Sequence, residues 1–109
     1  MKQDNSTPYT TNNILLIKYL KSSINGLYKI LPLKEEDNKD LIVYIKSLKI
    51  DLVGNQWNFV QLRYDADYLR VINILNYFVN NDFDIKTCKR EVFKSIRIIQ
   101  KIIQQLEKE

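Results

Sequence analysis

The side chains with the most chemistry to offer are two pairs of acids, Asp65 with Asp67 and Asp82 with Asp84, one thiol at Cys88, and a run of cations between Lys86 and Lys101. Carboxylates two residues apart can share a metal ion or divide the roles of acid and base. Each of these pairs, however, comes just before a stretch of helical periodicity, where a carboxylate accepts the free N–H groups of a first turn. Capping is the role expected of both. The run Glu35, Glu36, Asp37 gets the same assignment, ahead of a second helix whose N-terminal dipole favours negative charge. The chain has no histidine, so the usual general base near neutral pH, the usual activator of a nucleophile and the commonest zinc ligand are all missing. Cys88 has no second thiol with which to form a disulfide or a metal cluster and is expected to pack as a small core residue. No Gly-rich phosphate loop is present. The chain is therefore expected to work without catalysis, metal or cofactor.

The cations are more informative. The stretch "KTCKREVFKSIRIIQK" sets Lys86, Lys89, Arg90, Lys94, Arg97 and Lys101 against one acid, Glu91. At about 100° per residue, Ile85, Cys88, Val92, Ile96, Ile99, Ile103 and Leu106 fall on one side of a helix and form its core face. Lys86, Arg90, Lys94, Arg97, Lys101 and Lys108 gather on the other side as a long stripe. An amphipathic helix needs a wet face, and the stripe can be read as no more than that. A balanced wet face interleaves Glu with Lys at a spacing of four, whereas Glu91 is the only acid between Ile85 and Leu106. That imbalance favours an acidic partner, for which a phosphate backbone is the obvious candidate. Seventeen Lys and Arg against thirteen Asp and Glu give a net charge of +4, too modest to establish nucleic-acid binding alone. Arg63 and Arg70 either extend the basic surface or pair with Asp67 and Asp65, and the sequence does not decide between these. The seven tyrosines, with Trp57 and Phe59, are assigned to core and interface packing, since the aromatics are not interleaved with the basic stripe.

The elements that must carry these residues are helices. A chain of 109 residues suits one domain, and only Gly26, Gly54, Pro8 and Pro32 interrupt it. A polar arm over residues 1–11 is expected to precede an all-α, up-down four-helix bundle over residues 12–109. The first helix is expected from about Asn12, capped by Thr10 or Thr11, to Leu31, where Pro32 ends it. The second begins near Asp37 or Asn38, carries Leu41, Ile45, Leu48 and Leu52, and lasts into "GNQWNF". The third starts at Tyr64 or Asp65 and buries some of Tyr68, Leu69, Ile72, Leu75 and Val79. The fourth is capped by Asp84 and runs to about Leu106. β-Branched residues in "DLIVYIKSLKIDLV" suggest a strand, but the apolar positions recur at three and four rather than two. Val43, Ile50, Ile74, Tyr77, Ile98 and Ile102 lie off the core stripes and are expected to remain exposed, as contacts of a homo-oligomer or of a permanent partner. No apolar run of about eighteen residues is present, and the N-terminus "MKQDNSTPYTT" is polar. A cytoplasmic, non-membrane protein is expected.

The stretches "LYKILPLKEEDNKDLIVYIKSLKIDLV" and "DYLRVINILNYFVNNDFDIKTCKREVFKSIRIIQKIIQQLEKE" resemble the accessory variability determinant (Avd) proteins of diversity-generating retroelements, a four-helix-bundle family. The likeness lies in the Pro-containing turn between the first two helices, in Leu69 and Arg70 at the start of an apolar third helix, in the short polar turn after it, and in an apolar last helix ending in Lys. It spans roughly Ile17 to Lys108. The chain departs from the family at "IIQKIIQQLEK", where glycines are usual, and at Leu31, where an aromatic residue usually precedes the proline. The resemblance implies a barrel-like homopentamer whose basic surface binds a reverse transcriptase and its RNA, as an accessory without chemistry of its own. A small helical protein-binding module of a bacterial or phage system, bacteriocin-immunity-like or anti-defence, is the alternative expectation.

Overall fold

The computed structural model describes the backbone over residues 8–108 and side chains from Asn13 to Lys108. Among the described residues the chain is all-helical. Four long helices, α1 (Pro8–Tyr28), α3 (Leu41–Asn58), α5 (Ala66–Asn80) and α6 (Ile85–Glu107), are joined by connections that hold the short helices α2 (Ile30–Glu35) and α4 (Val60–Arg63). α1 packs on α3 and α6, and α5 packs on the same two, so the long helices close a ring in chain order. Neighbours run antiparallel. Gln61 of α4, just past the far end of α3, donates to Asn13 near the start of α1 (2.9 Å), while Tyr44 near the start of α3 reaches Gly26 near the end of α1. The resulting bundle measures 55 × 22 × 21 Å.

The predicted core stripes hold on α3, where Leu41, Ile45, Leu48 and Leu52 are buried, and on α6. Two of the predicted caps form as well. Asp65 accepts the Tyr68 amide at 2.9 Å and Asp84 accepts the Thr87 amide at 2.8 Å, each satisfying an N–H that has no partner within its helix.

Several expectations fail at the first connection. α1 starts at Pro8, earlier than Asn12, so the polar arm does not extend through residue 11. Proline suits that position because its fixed φ is helical and its missing N–H has no partner there. Residues 1–7 lie outside the described part of the chain. Pro32 does not terminate a helix. The helical path breaks at Lys29 and resumes as α2, and Pro32 sits in its first turn, where the lost N–H is not needed. Glu35 thus ends α2, and Glu36 and Asp37 follow it, so the three acids do not cap α3. Asp37 adopts φ of 52°, and the amides of Asp37 and Asn38 bond to the carbonyls of Lys34 and Leu33, both at 3.0 Å. This pair of reverse bonds is the Schellman closure, with aspartate in the place glycine usually fills. α3 then starts from Asp40, whose side chain makes no cap, while the Asn38 amide oxygen accepts the Asp40 N–H at 2.8 Å.

Ile74 and Ile102 also differ from expectation. They are 8% and 7% exposed and belong to the core, so they are not available as an outer contact surface. Ile98 is half-buried against the same core. Val43, Ile50 and Tyr77 are exposed. Of the five candidates on α5, Tyr68, Ile72 and Leu75 are buried, joined by Val71, Ile74 and Phe78, while Leu69 is exposed.

Candidate nucleic-acid interface

α6 carries the most uneven charge distribution in the fold. Its N-terminus is fixed by Asp84, whose carboxyl is held below the usual carboxylate range by the amide and then the hydroxyl of Thr87. Its inner side buries Cys88, Val92, Ser95, Ile96, Ile99, Ile102, Ile103 and Leu106. Ser95 is tolerated there because its hydroxyl donates to the Glu91 carbonyl at 2.9 Å. Cys88 is buried, and that burial pushes its thiol up from its ordinary value.

The outer side presents Lys86, Arg90, Lys94, Arg97, Lys101 and Lys108, all exposed. From Lys86 to Lys108 the row is about 33 Å long at 1.5 Å per residue. Glu91 takes up part of its charge, through Arg90 Nε at 2.9 Å and Lys94 Nζ at 3.9 Å. Lys89, just outside the row, lies 3.9 Å from Glu35 of α2. Among the described residues no carboxylate lies within ion-pair distance of Lys86, Arg97, Lys101 or Lys108, so beyond Lys94 the row is not ion-paired.

Two features border the row, and neither was found from sequence. Toward α5 lies a groove of about 390 Å³ lined by Arg70, Asn73, Ile74 and Tyr77 of α5 and by Thr87, Arg90 and the acid Glu91 of α6. Arg70 is held there by Asp67 at 3.0 Å. The question left open by the sequence is thereby answered: Arg70 pairs with Asp67 and also faces the groove beside Arg90. Arg63 does neither. It donates to the Trp57 carbonyl at 2.6 Å and lies 5.9 Å from the centre of the Trp57 ring, at the corner of α3 and α4.

Toward α1 the border is aromatic. Phe93 meets Tyr28 edge to face, with ring centres 6.3 Å apart and planes at 73°, and both rings remain partly exposed. The expectation that no aromatic is interleaved with the cations is therefore corrected. Phe93 lies four residues after Lys89 and four before Arg97, on the same side of one helix. The periodicity of α6 contained this signal, and Tyr28 could be added only once α1 was known to pack on α6.

A larger groove of about 760 Å³ runs between α1 and α3, with Ser22, Gly26, Ser47 and Gly54 along it and Tyr19 and Ile50 at its sides. Beyond it Val43, Ile50 and Trp57, spaced by seven, form one exposed apolar line on α3. Among the described residues no group of three His, Cys, Asp or Glu side chains is placed to hold a metal ion, and no helix is long and apolar enough to cross a membrane. No family model, curated protein or solved structure matches the chain.

Proposed function

We propose that the protein is a non-enzymatic accessory that binds nucleic acid, RNA in the first instance, through the outer face of α6. The observation that carries this reading is the exposed row Lys86, Arg90, Lys94, Arg97 and Lys101 on α6, continued by Lys108 at its C-cap, with Glu91 the single acid between Lys86 and Lys101. A rigid row of cations neutralises phosphates and releases their counterions without reading base sequence. The resemblance to the accessory proteins of diversity-generating retroelements supports a more specific version, in which the partner is a reverse transcriptase with its template RNA and the bundle acts as a homo-oligomer, a pentamer in that family. The exposed line Val43, Ile50, Trp57 supports self-contact. The same line favours a second reading, a protein-binding module of the bacteriocin-immunity or anti-defence kind, in which the basic face would meet an acidic protein.

The decisive experiment measures single-strand binding across a salt series. Replacing Arg90, Lys94, Arg97 and Lys101 with Gln is expected to leave the helical circular dichroism intact while lowering the log–log salt slope by about 3, at about 0.7 per phosphate contact. An unchanged slope would show that phosphates are held elsewhere.

A further inference from the structure

We infer that the α1–α6 seam is a stacking site for unpaired bases, which makes single-stranded nucleic acid, rather than duplex, the ligand of the basic face. This inference rests on the reading of α6 as a phosphate-binding surface and adds to it the state of the strand. Its starting point is the Tyr28 and Phe93 pair. The two residues keep 44% and 40% of their surface exposed although each ring has a partner. In an edge-to-face pair one ring offers its rim to the face of the other, so the contact between them does not cover both faces of both rings. Aromatic surface is thus left open to solvent along the border of a charged face.

The charges around the seam argue for what would cover it. On α6, Lys89 and Arg97 stand one turn to either side of Phe93, and Lys86 lies two turns before it on the same side. On α1, Lys21 lies two turns before Tyr28 on the same side and is exposed, and Lys29 follows Tyr28 directly. Among the described residues Glu35 is the one carboxylate paired with any of these cations, at 3.9 Å from Lys89. A purely apolar partner would have to bury several of these ammonium and guanidinium groups without compensation, whereas a nucleotide brings a flat apolar face and an anion together. A duplex cannot use the site, because its base faces are already stacked on one another within the helix. An extended single strand can place its phosphates along Arg97 and Lys101 while a base turns onto the rings.

The test uses the full chain, fluorescence anisotropy, an unstructured oligouridine and a blunt RNA duplex of equal length. The wild type is expected to bind the single strand more tightly than the duplex. Phe93→Leu and Tyr28→Leu are each expected to weaken single-strand binding about tenfold, the lower part of the range for loss of one base stack, with the salt slope unchanged. Duplex binding should not move. Phe93→Trp restores a larger stacking face and is expected to keep or improve affinity, which separates stacking from a general loss of packing. Single-strand affinity that survives both Leu variants, in a protein whose Gln-substituted row has lost its salt slope, overturns the stacking site and leaves the basic face standing. Binding of neither nucleic acid by the wild type removes the basic-face reading, and the stacking site with it.

Discussion

Tyr68 shows how much one polar atom can constrain a core. The side chain is fully buried, and its hydroxyl donates to the Leu52 carbonyl at 2.6 Å, tying α5 to α3. Burial drives the phenol well above its ordinary value of 10.0, against a smaller opposing contribution from Asn55. Replacing Tyr68 with Phe removes the bond and is expected to cost about 1 kcal/mol near neutral pH, measured by urea unfolding. The pH dependence has a definite sign. The folded protein holds the phenol proton more tightly than the unfolded chain, so this contribution is complete below about pH 10 and falls as pH rises further. The wild type should therefore lose stability above pH 10 more steeply than the Tyr68→Phe variant, and the gap between them should close. Parallel curves would mean that the phenol does not titrate on unfolding in that range. Sequence periodicity placed Tyr68 among the candidates for burial, but the partner of its hydroxyl lies on another helix and could not be read along the chain.

At the scale of the elements, α1 and α3 meet closely at Gly26, and the two glycines of the chain make a natural comparison. A Cβ on Gly26 would come within 2.8 Å of Leu48 Cδ1, and the Gly26 carbonyl accepts the Tyr44 hydroxyl at 2.7 Å. A Cβ on Gly54 would meet nothing within 4 Å. Both positions are helical, where Ala is favoured over Gly by roughly 0.5–1 kcal/mol. Gly54→Ala is expected to gain about that much, read as an upward shift of the thermal midpoint. Gly26→Ala is expected to gain less or to destabilise, because Leu48 must move. Equal gains would show that the helices are not in tight contact at that point. The same level explains what the sequence could and could not show. The four long helices, the Asp65 and Asp84 caps and the basic side of α6 all follow from local rules of spacing and capping. Ile74 and Ile102 were misplaced because a single stripe was drawn on each helix, whereas a helix in a ring of four is covered by two neighbours and buries a wider arc. The passage of the chain through Pro32 was missed because a proline in a first turn and one just past a helix end look alike in sequence.

At the scale of the whole molecule, the open question is what the outer surface meets. Val43 and Ile50, 68% and 67% exposed, join Trp57 on one side of the bundle, while the cations occupy α6, which does not pack on α3. One face is thus available for self-contact without covering the other. Light scattering of the nuclease-treated protein at moderate salt is expected to report about five protomers, and Ile50→Lys should lower that mass while leaving the helical content unchanged. A monomeric wild type would overturn the oligomer and turn attention to a protein partner for the apolar line. The helical content and the closed ring were legible in the number and length of the periodic segments. Assembly was not, because exposure depends on which helices face one another.

The pairing of α1 with α6 has a consequence for how the molecule is made. Among the described helices, α1 finds its most extensive neighbour in α6, and the other described elements are synthesised between the two. At about 5–20 residues per second, Leu16, Leu20 and Leu27 must wait several seconds for the helix that completes their cover. The nascent chain passes through that interval with an unfinished apolar surface, so the stage at which it is most exposed to misassembly or chaperone capture lasts until Ile85–Glu107 has cleared the exit tunnel.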